Sequence, residues 1–389
     1  MGEDLFKYLP SEIVVNILSR LPTRAAMACK CVCKPWLGLL ATPEFVNSHI
    51  SRSLPGLAVE TQSKSFEVIE FVDELGFDFD EDNYGGVDFN FKFELPFDEP
   101  IHSSANGLIF LRDYNRGDLI LCNPVTRDYI KLPSPRQTTS GDQHGVESFG
   151  FGVSRTSDQY KVVRIFIKAP VLREDYQKIP PPMPQYECQV YTVGTGTWRR
   201  VPSGSPRRFF SEFGGLLFNG NLHWMVIEII SDHLVQLVEQ ICCFDLETEL
   251  FSSFTLPPRT PSLLLVMGLH YRKEPSVLRD CLCVSHFAED GGFVIRSMKE
   301  YGDEKSWTKE VLTREVCGEF SRSCPIRIFE NGDILIECDR KRLFYYSNKT
   351  KAGYDLFFRE DQEEHISTTM HAPSFLSLEN FAVENVSSF

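Results

Sequence analysis

The chain has 389 residues, of which 42% are hydrophobic, and a formal net charge of -14. This length suffices for two or three domains, and the hydrophobic share is typical of a chain that buries a core. The negative charge argues against a general nucleic-acid-binding protein, which needs an excess of Lys and Arg to contact phosphates. The first residues resemble no secretory signal and no apolar run is long enough to span a membrane. We therefore expect twelve reduced cysteines in a cytoplasmic or nuclear protein.

Residues 9–45 predict a small helical module that cannot bury its own apolar surface. The letters LPSE from Leu9 are typical of a helix start, because a proline in the first turn gives up only an N–H that lacks a partner. Apolar side chains then recur at helical spacing, at Ile13, Ile17, Leu18 and Leu21. A second helix is predicted after Pro22 and a third from Pro35. About forty residues of helix need a partner to fold stably.

These residues resemble the F-box motif over nearly its whole length. The matching positions are Leu9-Pro10, Glu12-Ile13, Ile17-Leu18, Leu21-Pro22, Val32-Cys33-Lys34, Trp36 and Pro43-Glu44-Phe45. The resemblance implies a three-helix domain over residues 1–50 that docks on a Skp family adaptor protein, through which a cullin ubiquitin ligase is bound. The adaptor contacts that it implies are Leu9, Pro10, Ile13, Ile17, Leu18, Leu21, Pro22, Val32, Cys33, Lys34 and Trp36. Pro35 and Leu37 stand where Ser and Arg are commoner, and neither departure removes an apolar docking residue.

After residues 46–56, which we expect to form the exit from the module, short apolar runs alternate with turn residues and predict strands. Residues 67–99 contain twelve acidic residues and one lysine, and their last part alternates with the period of a half-buried strand. An EF-hand calcium loop starting at residue 78 is excluded, because its sixth and twelfth positions hold Asn83 and Phe89 instead of Gly and a carboxylate. Two interpretations of this segment stay open, an exposed acidic loop and a contact for a basic partner.

Hairpin-like segments recur further along the chain. An apolar strand, a polar turn and a second strand follow one another in residues 119–133, 188–202, 241–257, 294–312 and 342–358. A second pattern places Asn-Gly before an apolar run at Asn106, Asn219 and Asn331, spaced by 113 and 112 residues. Repeats of about fifty residues with several strands each are typical of a kelch-like β-propeller. We therefore predict an α + all-β multidomain protein with about six irregular blades over residues 51–375, the first supplied by residues 57–99. A frayed tail is expected at residues 376–389.

The same stretches resemble the F-box-associated domain of plant proteins. The similarity is carried by NGLIFL from Asn106, CNPVTRDYIKLP from Cys122, FGFGVSRTSDQYKVVRI from Phe149, GNLHWM from Gly220 and FENGDILIEC from Phe329. Val153-Ser154 replaces the usual Tyr-Asp of this pattern. The resemblance implies a substrate-recognition domain and a land-plant source.

The sequence shows no catalytic constellation, because HExxH, P-loop, GxSxG and CxxC patterns are all missing. We therefore predict a non-catalytic protein that needs no metal or cofactor. A zinc site at Cys29, Cys31 and Cys33 would need further ligands that are not nearby, so we expect these to be small buried thiols. His223, beside Trp224 on an apolar strand, is expected to be a core residue with satisfied hydrogen bonds.

The helical module and the propeller together favour the substrate receptor of an SCF-type (Skp–cullin–F-box) ubiquitin ligase. The propeller would hold an unknown target protein near a ubiquitin-charged enzyme and so raise the effective concentration of target lysines. The alternative is an F-box scaffold or sequestering protein that acts without ubiquitination. A propeller enzyme would need convergent side chains at equivalent blade positions, and the repeats lack them.

Target recognition is expected on loops. The candidate loops are residues 78–88, 137–144 and 170–185, and the candidate contacts are Asp80, Asp82, Tyr84 and His144. We expect neither a nucleic-acid nor a membrane partner.

Overall fold

The computed structural model describes residues 9–53, 55–62, 65–71, 91–96, 100–112, 117–135, 147–169, 185–201, 214–229, 237–257, 275–287, 293–312, 323–358, 366–381 and 385–389. The fold is a group of short N-terminal helices followed by a six-bladed β-propeller, which confirms the predicted fold class. The chain divides into two compact units, residues 1–134 with 366–389 and residues 135–365. Within the described ranges, no helix is both long enough and apolar enough to cross a membrane.

The helical module has four helices, one more than the sequence predicts. They are α1 (Ser11–Leu18), α2 (Thr23–Cys29), α3 (Lys34–Leu39) and α4 (Pro43–Ile50). Pro10 and Pro22 precede α1 and α2 directly, as expected for helix starts. The additional helix α4 begins where Pro43 follows Thr42, whose hydroxyl accepts the Phe45 N–H at 3.3 Å. A capped start and a buried face therefore make a helix of the segment in which the sequence predicts the exit from the module.

The strands, in chain order, are β1 (Gly56–Gln62), β2 (Ser65–Ile69), β3 (Phe91–Glu94), β4 (Ile101–Ala105), β5 (Leu108–Arg112), β6 (Leu119–Asn123), β7 (Asp128–Leu132), β8 (Glu147–Val153), β9 (Tyr160–Ala169), β10 (Gln185–Thr192), β11 (Trp198–Arg200), β12 (Leu216–Phe218), β13 (Asn221–Ile229), β14 (Leu237–Asp245), β15 (Phe251–Thr255), β16 (Pro275–Leu278), β17 (Cys281–Phe287), β18 (Phe293–Met298), β19 (Trp307–Leu312), β20 (Ser323–Ile328), β21 (Ile334–Cys338), β22 (Arg342–Ser347), β23 (Ala352–Phe358), β24 (Ser367–His371) and β25 (Val386–Ser388). The paired strands are antiparallel, so neighbouring strands need no crossover helix between them.

The first unit contains two sheets, with strand orders β24-β1-β2-β3 and β25-β7-β6-β5-β4. In the first of them β1 pairs with β24, so that segments near both ends of the chain share one blade. In the second, β25 adds a fifth strand, with Val386 opposite Ile130. The tail expected to be frayed thus contributes a strand, because Phe389 packs against Phe93 and Tyr129 and Leu378 is fully buried.

The second unit contains four sheets of four strands each, β8 to β11, β12 to β15, β16 to β19 and β20 to β23. The recurring hairpins of the sequence are the third and fourth strands of their sheets in both units, as β6 with β7 and β14 with β15 show. Asn106-Gly107 and Asn219-Gly220 form the turns between first and second strands, and all four residues have positive φ. Asn and Gly tolerate this conformation best, which explains why the Asn-Gly pairs mark the period.

The core of the second unit includes a cluster between neighbouring sheets, in which Trp224 is fully buried against side chains such as Val163 and Val190. Its indole N–H donates to the Ser148 hydroxyl at 3.1 Å. An ideal Cβ on Gly215 would lie 2.5 Å from the Trp224 ring. The large ring thus fits because glycine stands opposite it.

Candidate functional site

Helix α1 has two apolar faces, of which only one is buried. Val14 and Leu18 are buried in the core of the helical module, whereas Ile13 and Ile17 are 47% and 43% exposed. Each pair is spaced by four residues and therefore shares one side of the helix. A helix in water with a second apolar face left open is typical of a surface that binds another protein.

Five large apolar residues of the module are exposed and are named here the exposed apolar set: Leu9, Ile13, Ile17, Val32 and Leu37. Val32 is the most open of them, with 63% of its surface accessible, and lies between α2 and α3. Four of the five belong to the predicted adaptor contacts, and the fifth, Leu37, is one of the two departures from the F-box motif.

The remaining predicted contacts differ in exposure. Pro10, Pro22, Cys33 and Lys34 are exposed, and Leu21 is half-buried. Leu18 is buried, so its side chain stabilises the module itself instead of lying open to a partner. Trp36 is also half-buried and packs against the core cluster of Val14, Ala26 and Phe45. A truncation of Trp36 would therefore disturb the fold of the module as well as any contact it makes.

The core of the helical module is completed by a residue from the far end of the chain, Phe375. Its ring lies edge-on to Phe45 and to His49, with centroids 5.3 and 5.1 Å away. The Lys30 ammonium lies 4.9 Å from the centroid of the same ring, in a cation–π contact. Val125, which follows β6, belongs to the same buried cluster.

Two polar contacts also connect segments of the first unit that lie far apart in the sequence. The Glu70 carboxylate accepts the backbone N–H of Thr23 at 3.2 Å and also its hydroxyl, at the first turn of α2. Buried Asn123 donates to the carbonyl oxygens of Ser374 and Leu376 at 3.1 and 2.7 Å. We name Phe375, Glu70 and Asn123, with their partners, the clamp. It fixes the helical module on its sheets through apolar, charged and amide groups together.

Burial in the clamp changes the ionisation of two groups. Burial lowers the pKa of His49, and the nearby Glu70 carboxylate opposes this effect by favouring the charged imidazolium. Burial likewise lowers the pKa of Lys30, and the negative charge of Asp128 acts in the opposite direction. Burial is the larger effect in both cases.

The prediction of buried thiols is wrong for part of the helical module. Cys31 and Cys33 are exposed and Cys29 is half-buried. In the sheets, Cys242, Cys243 and Cys283 are buried, whereas Cys281 is half-buried. The sequence could not separate these cases, because alternating small residues near a helix end look alike until the packing of the helix is known.

His223 is a core residue, as predicted. It is fully buried, with Nδ1 3.2 Å from the Leu216 carbonyl oxygen and Nε2 2.9 Å from the Tyr301 hydroxyl. Since the carbonyl can only accept, Nδ1 donates to it, and Nε2 accepts the hydroxyl proton. Burial lowers the pKa of His223 to about 4 and keeps the ring neutral.

Asp80, Asp82, Tyr84 and His144 lie outside the described residues, as do residues 78–88 and 137–144 and nearly all of 170–185. In the part of the chain that the structure describes, no three His, Cys, Asp or Glu side chains come together in a way that could hold a metal ion.

A small helical module with an exposed apolar set, followed by a propeller of antiparallel blades, defines the class of F-box proteins with a propeller domain. Comparison with protein families agrees, since residues 6–49 match the F-box-like family and residues 77–352 match the F-box associated beta propeller domain. The chain belongs to the F-box associated beta propeller family. The feature that sequence reasoning missed is the clamp, because Phe375 lies more than three hundred residues from its partners in the helices.

Similar proteins come from Arabidopsis thaliana, which supports the expected plant origin. F-box protein CPR1 is 26% identical over 363 residues, 88% of this chain and 83% of the relative. F-box protein At3g07870 is 27% identical over 390 residues, 90% of this chain and 87% of the relative. F-box protein DOR is 27% identical over 283 residues, 68% of this chain and 66% of the relative.

Proposed function

We propose that this protein is the substrate-recognition subunit of an SCF-type ubiquitin ligase. The helical module docks on a Skp family adaptor, which connects it to a cullin, and the propeller binds a target protein for ubiquitination. The observation that carries the proposal is the open face of α1, where Ile13 and Ile17 are exposed while the neighbouring face with Val14 and Leu18 is buried. Removing such side chains from water on docking stabilises a complex by about 25 cal/mol per Å² of apolar surface.

The protein in this proposal performs no bond chemistry itself. Its contribution is proximity, because a target held by the propeller meets the ubiquitin-charged enzyme at a high effective concentration. We place it in the cytoplasm or the nucleus, a proposal supported by the eleven described cysteines, all of which are free.

The test is co-expression of the full chain with a plant Skp family adaptor, followed by measurement of the affinity. The double variant Ile13→Ala/Ile17→Ala should weaken binding at least about tenfold, since each buried large aliphatic side chain is worth about 1.5–3 kcal/mol. The matched control is Leu250→Ala/Val311→Ala, which truncates two side chains of similar exposure, 55% and 53%, in the second unit. It should leave adaptor binding unchanged.

Equal affinities of the two double variants would contradict docking through α1. A complex with the adaptor that never recruits cullin would instead favour the scaffold or sequestering protein. Ubiquitination of a co-purified target by the assembled complex would support the receptor.

A further inference from the structure

The accessible thiols of the described residues are concentrated in the helical module. Among the eleven described cysteines, only Cys31 and Cys33 are exposed. Cys29 is half-buried against the core of the module, and burial raises the pKa of its thiol. In the sheets, burial raises the pKa of Cys188 and Cys243 to about 12. A thiol reagent in water therefore meets Cys31 and Cys33 first, because reaction requires an accessible thiolate.

Cys31 and Cys33 flank Val32, the most exposed member of the exposed apolar set. The three residues lie in the four-residue connection between α2 and α3, and backbone hydrogen bonds hold its start. The Cys31 N–H donates to the Ala28 carbonyl at 3.0 Å, and the Val32 N–H donates to the Cys29 carbonyl at 3.2 Å. A group attached to either sulfur is therefore kept close to Val32, which is one of the predicted adaptor contacts.

A positive charge beside this connection favours an anionic reagent. Lys34 follows Cys33 directly and its side chain is exposed. A small disulfide that carries carboxylates is attracted to this ammonium group. Glutathione disulfide has this chemistry and belongs to the thiol–disulfide pool of the cell.

We propose that Cys31 and Cys33 form reversible mixed disulfides with an anionic low-molecular-weight disulfide, and that this modification blocks adaptor docking. The docking part of the proposal rests on the proposed function. In the reaction, the Cys33 or Cys31 thiolate attacks one sulfur of the disulfide. A new S–S bond forms, the old one breaks, and the second half of the reagent leaves as a thiolate with the electron pair. The protein sulfur is oxidised, the leaving sulfur is reduced, and the cysteine proton passes to water.

The modification acts on docking through bulk and charge. A glutathione tripeptide attached beside Val32 carries carboxylates that would lose their water against the apolar surface of the adaptor. These charges would find no opposite charge there. We expect the affinity for the adaptor to fall at least about tenfold, a change of about 1.4 kcal/mol. A thiol reductant removes the tripeptide and restores the surface, so the change is reversible.

The experiment uses the full chain in its reduced form, treated with glutathione disulfide and compared with an untreated sample. Peptide mass spectrometry locates the adducts, and adaptor affinity is measured before treatment, after treatment and after reduction with dithiothreitol. Two variants accompany the wild type. Cys31→Ser/Cys33→Ser removes both exposed thiols, and Cys29→Ser removes the half-buried neighbour.

Adducts should appear first at Cys31 and Cys33, binding should fall and recover on reduction, and Cys31→Ser/Cys33→Ser should bind equally with and without treatment. Cys29→Ser should respond as the wild type does. Unchanged affinity of a chain that carries both adducts would overturn the proposal, as would equally rapid adduct formation at the buried cysteines. A reduced chain that fails to bind the adaptor would instead overturn the proposed function and the docking part with it, while the adduct map would still decide the site.

Discussion

Phe375 fixes the helical module, and its truncation gives a prediction whose size follows from the structure. Its buried ring contacts Phe45, His49 and Lys30 at centroid distances of 5.3, 5.1 and 4.9 Å. Phe375→Ala leaves a cavity among these side chains and should destabilise the module by about 3–5 kcal/mol. Folded domains are stable by only about 5–15 kcal/mol, so this loss is a large part of the total.

The suitable assay is amide hydrogen exchange, because it reports local opening of each element in the full chain. A loss of about 3 kcal/mol raises the population of the open form more than a hundredfold. We therefore expect exchange in α2 and α4 of Phe375→Ala to accelerate by at least that factor. Amides in β13 and β14, which belong to the second unit, should exchange at the wild-type rate.

Phe375→Leu is the matched control, because it keeps an apolar side chain of intermediate size in the same cavity and should cost about 1.5 kcal/mol or less. Wild-type exchange rates in α2 and α4 of Phe375→Ala would refute the clamp. Equal acceleration in β13 and β14 would show that the ring stabilises the chain globally rather than the module.

Two further predictions concern packing and pH. Gly215→Ala should lower the unfolding free energy by about 1–3 kcal/mol, because its Cβ would lie 2.5 Å from the Trp224 ring. Gly38 lies in helix α3 with nothing within 4 Å of an added Cβ, so Gly38→Ala should raise the unfolding free energy by up to about 1 kcal/mol. Similar urea midpoints for the two variants would contradict the statement that Gly215 is crowded and Gly38 is not. Burial lowers the pKa of His223 from 6.5 to about 4, so the unfolded chain takes up this proton first as pH falls. The associated stability is complete above pH 6.5 and is lost towards pH 4, at about 1.4 kcal/mol per pH unit. His223→Gln should remove this part of the pH dependence in urea unfolding, and an unchanged slope between pH 6.5 and pH 5 would argue against it.

The sequence predicts the blades best where the turn residues are chemically distinctive. Asn106 and Asn219 stand at turns with positive φ, and the Asn-Gly pairs there show the spacing of two blades. In the sheet that begins with β16 the corresponding turn is formed by Arg279 and Asp280, which adopt φ of 48° and 53°. Because neither is glycine or asparagine, this blade has no Asn-Gly signal, and its place in the repeat follows only from its hairpin.

In the helical module, local sequence predicts only part of the structure. The starts at Pro10 and Pro22 follow from local chemistry and could be predicted, whereas α4 combines a local start at Thr42-Pro43 with the burial of Phe45, Val46 and His49. That burial depends on a distant segment of chain, and local spacing carries no information about it. The same reason explains why the exposure of Cys31 and Cys33 could not be predicted from a pattern of small residues.

The pairing of β1 with β24 and the burial of Phe375 have a consequence for synthesis of the chain on the ribosome. Helices α1 to α4 are made well before the ring that completes their core, which lies more than three hundred residues further along the chain. At about 5–20 residues per second, the unfinished module waits for tens of seconds with apolar surface open to water. During that time a nascent chain presents the same kind of surface that chaperones bind. A message truncated before codon 367 would yield a product whose first blade and helical module both stay incomplete, which makes such a product a ready substrate for cellular quality control.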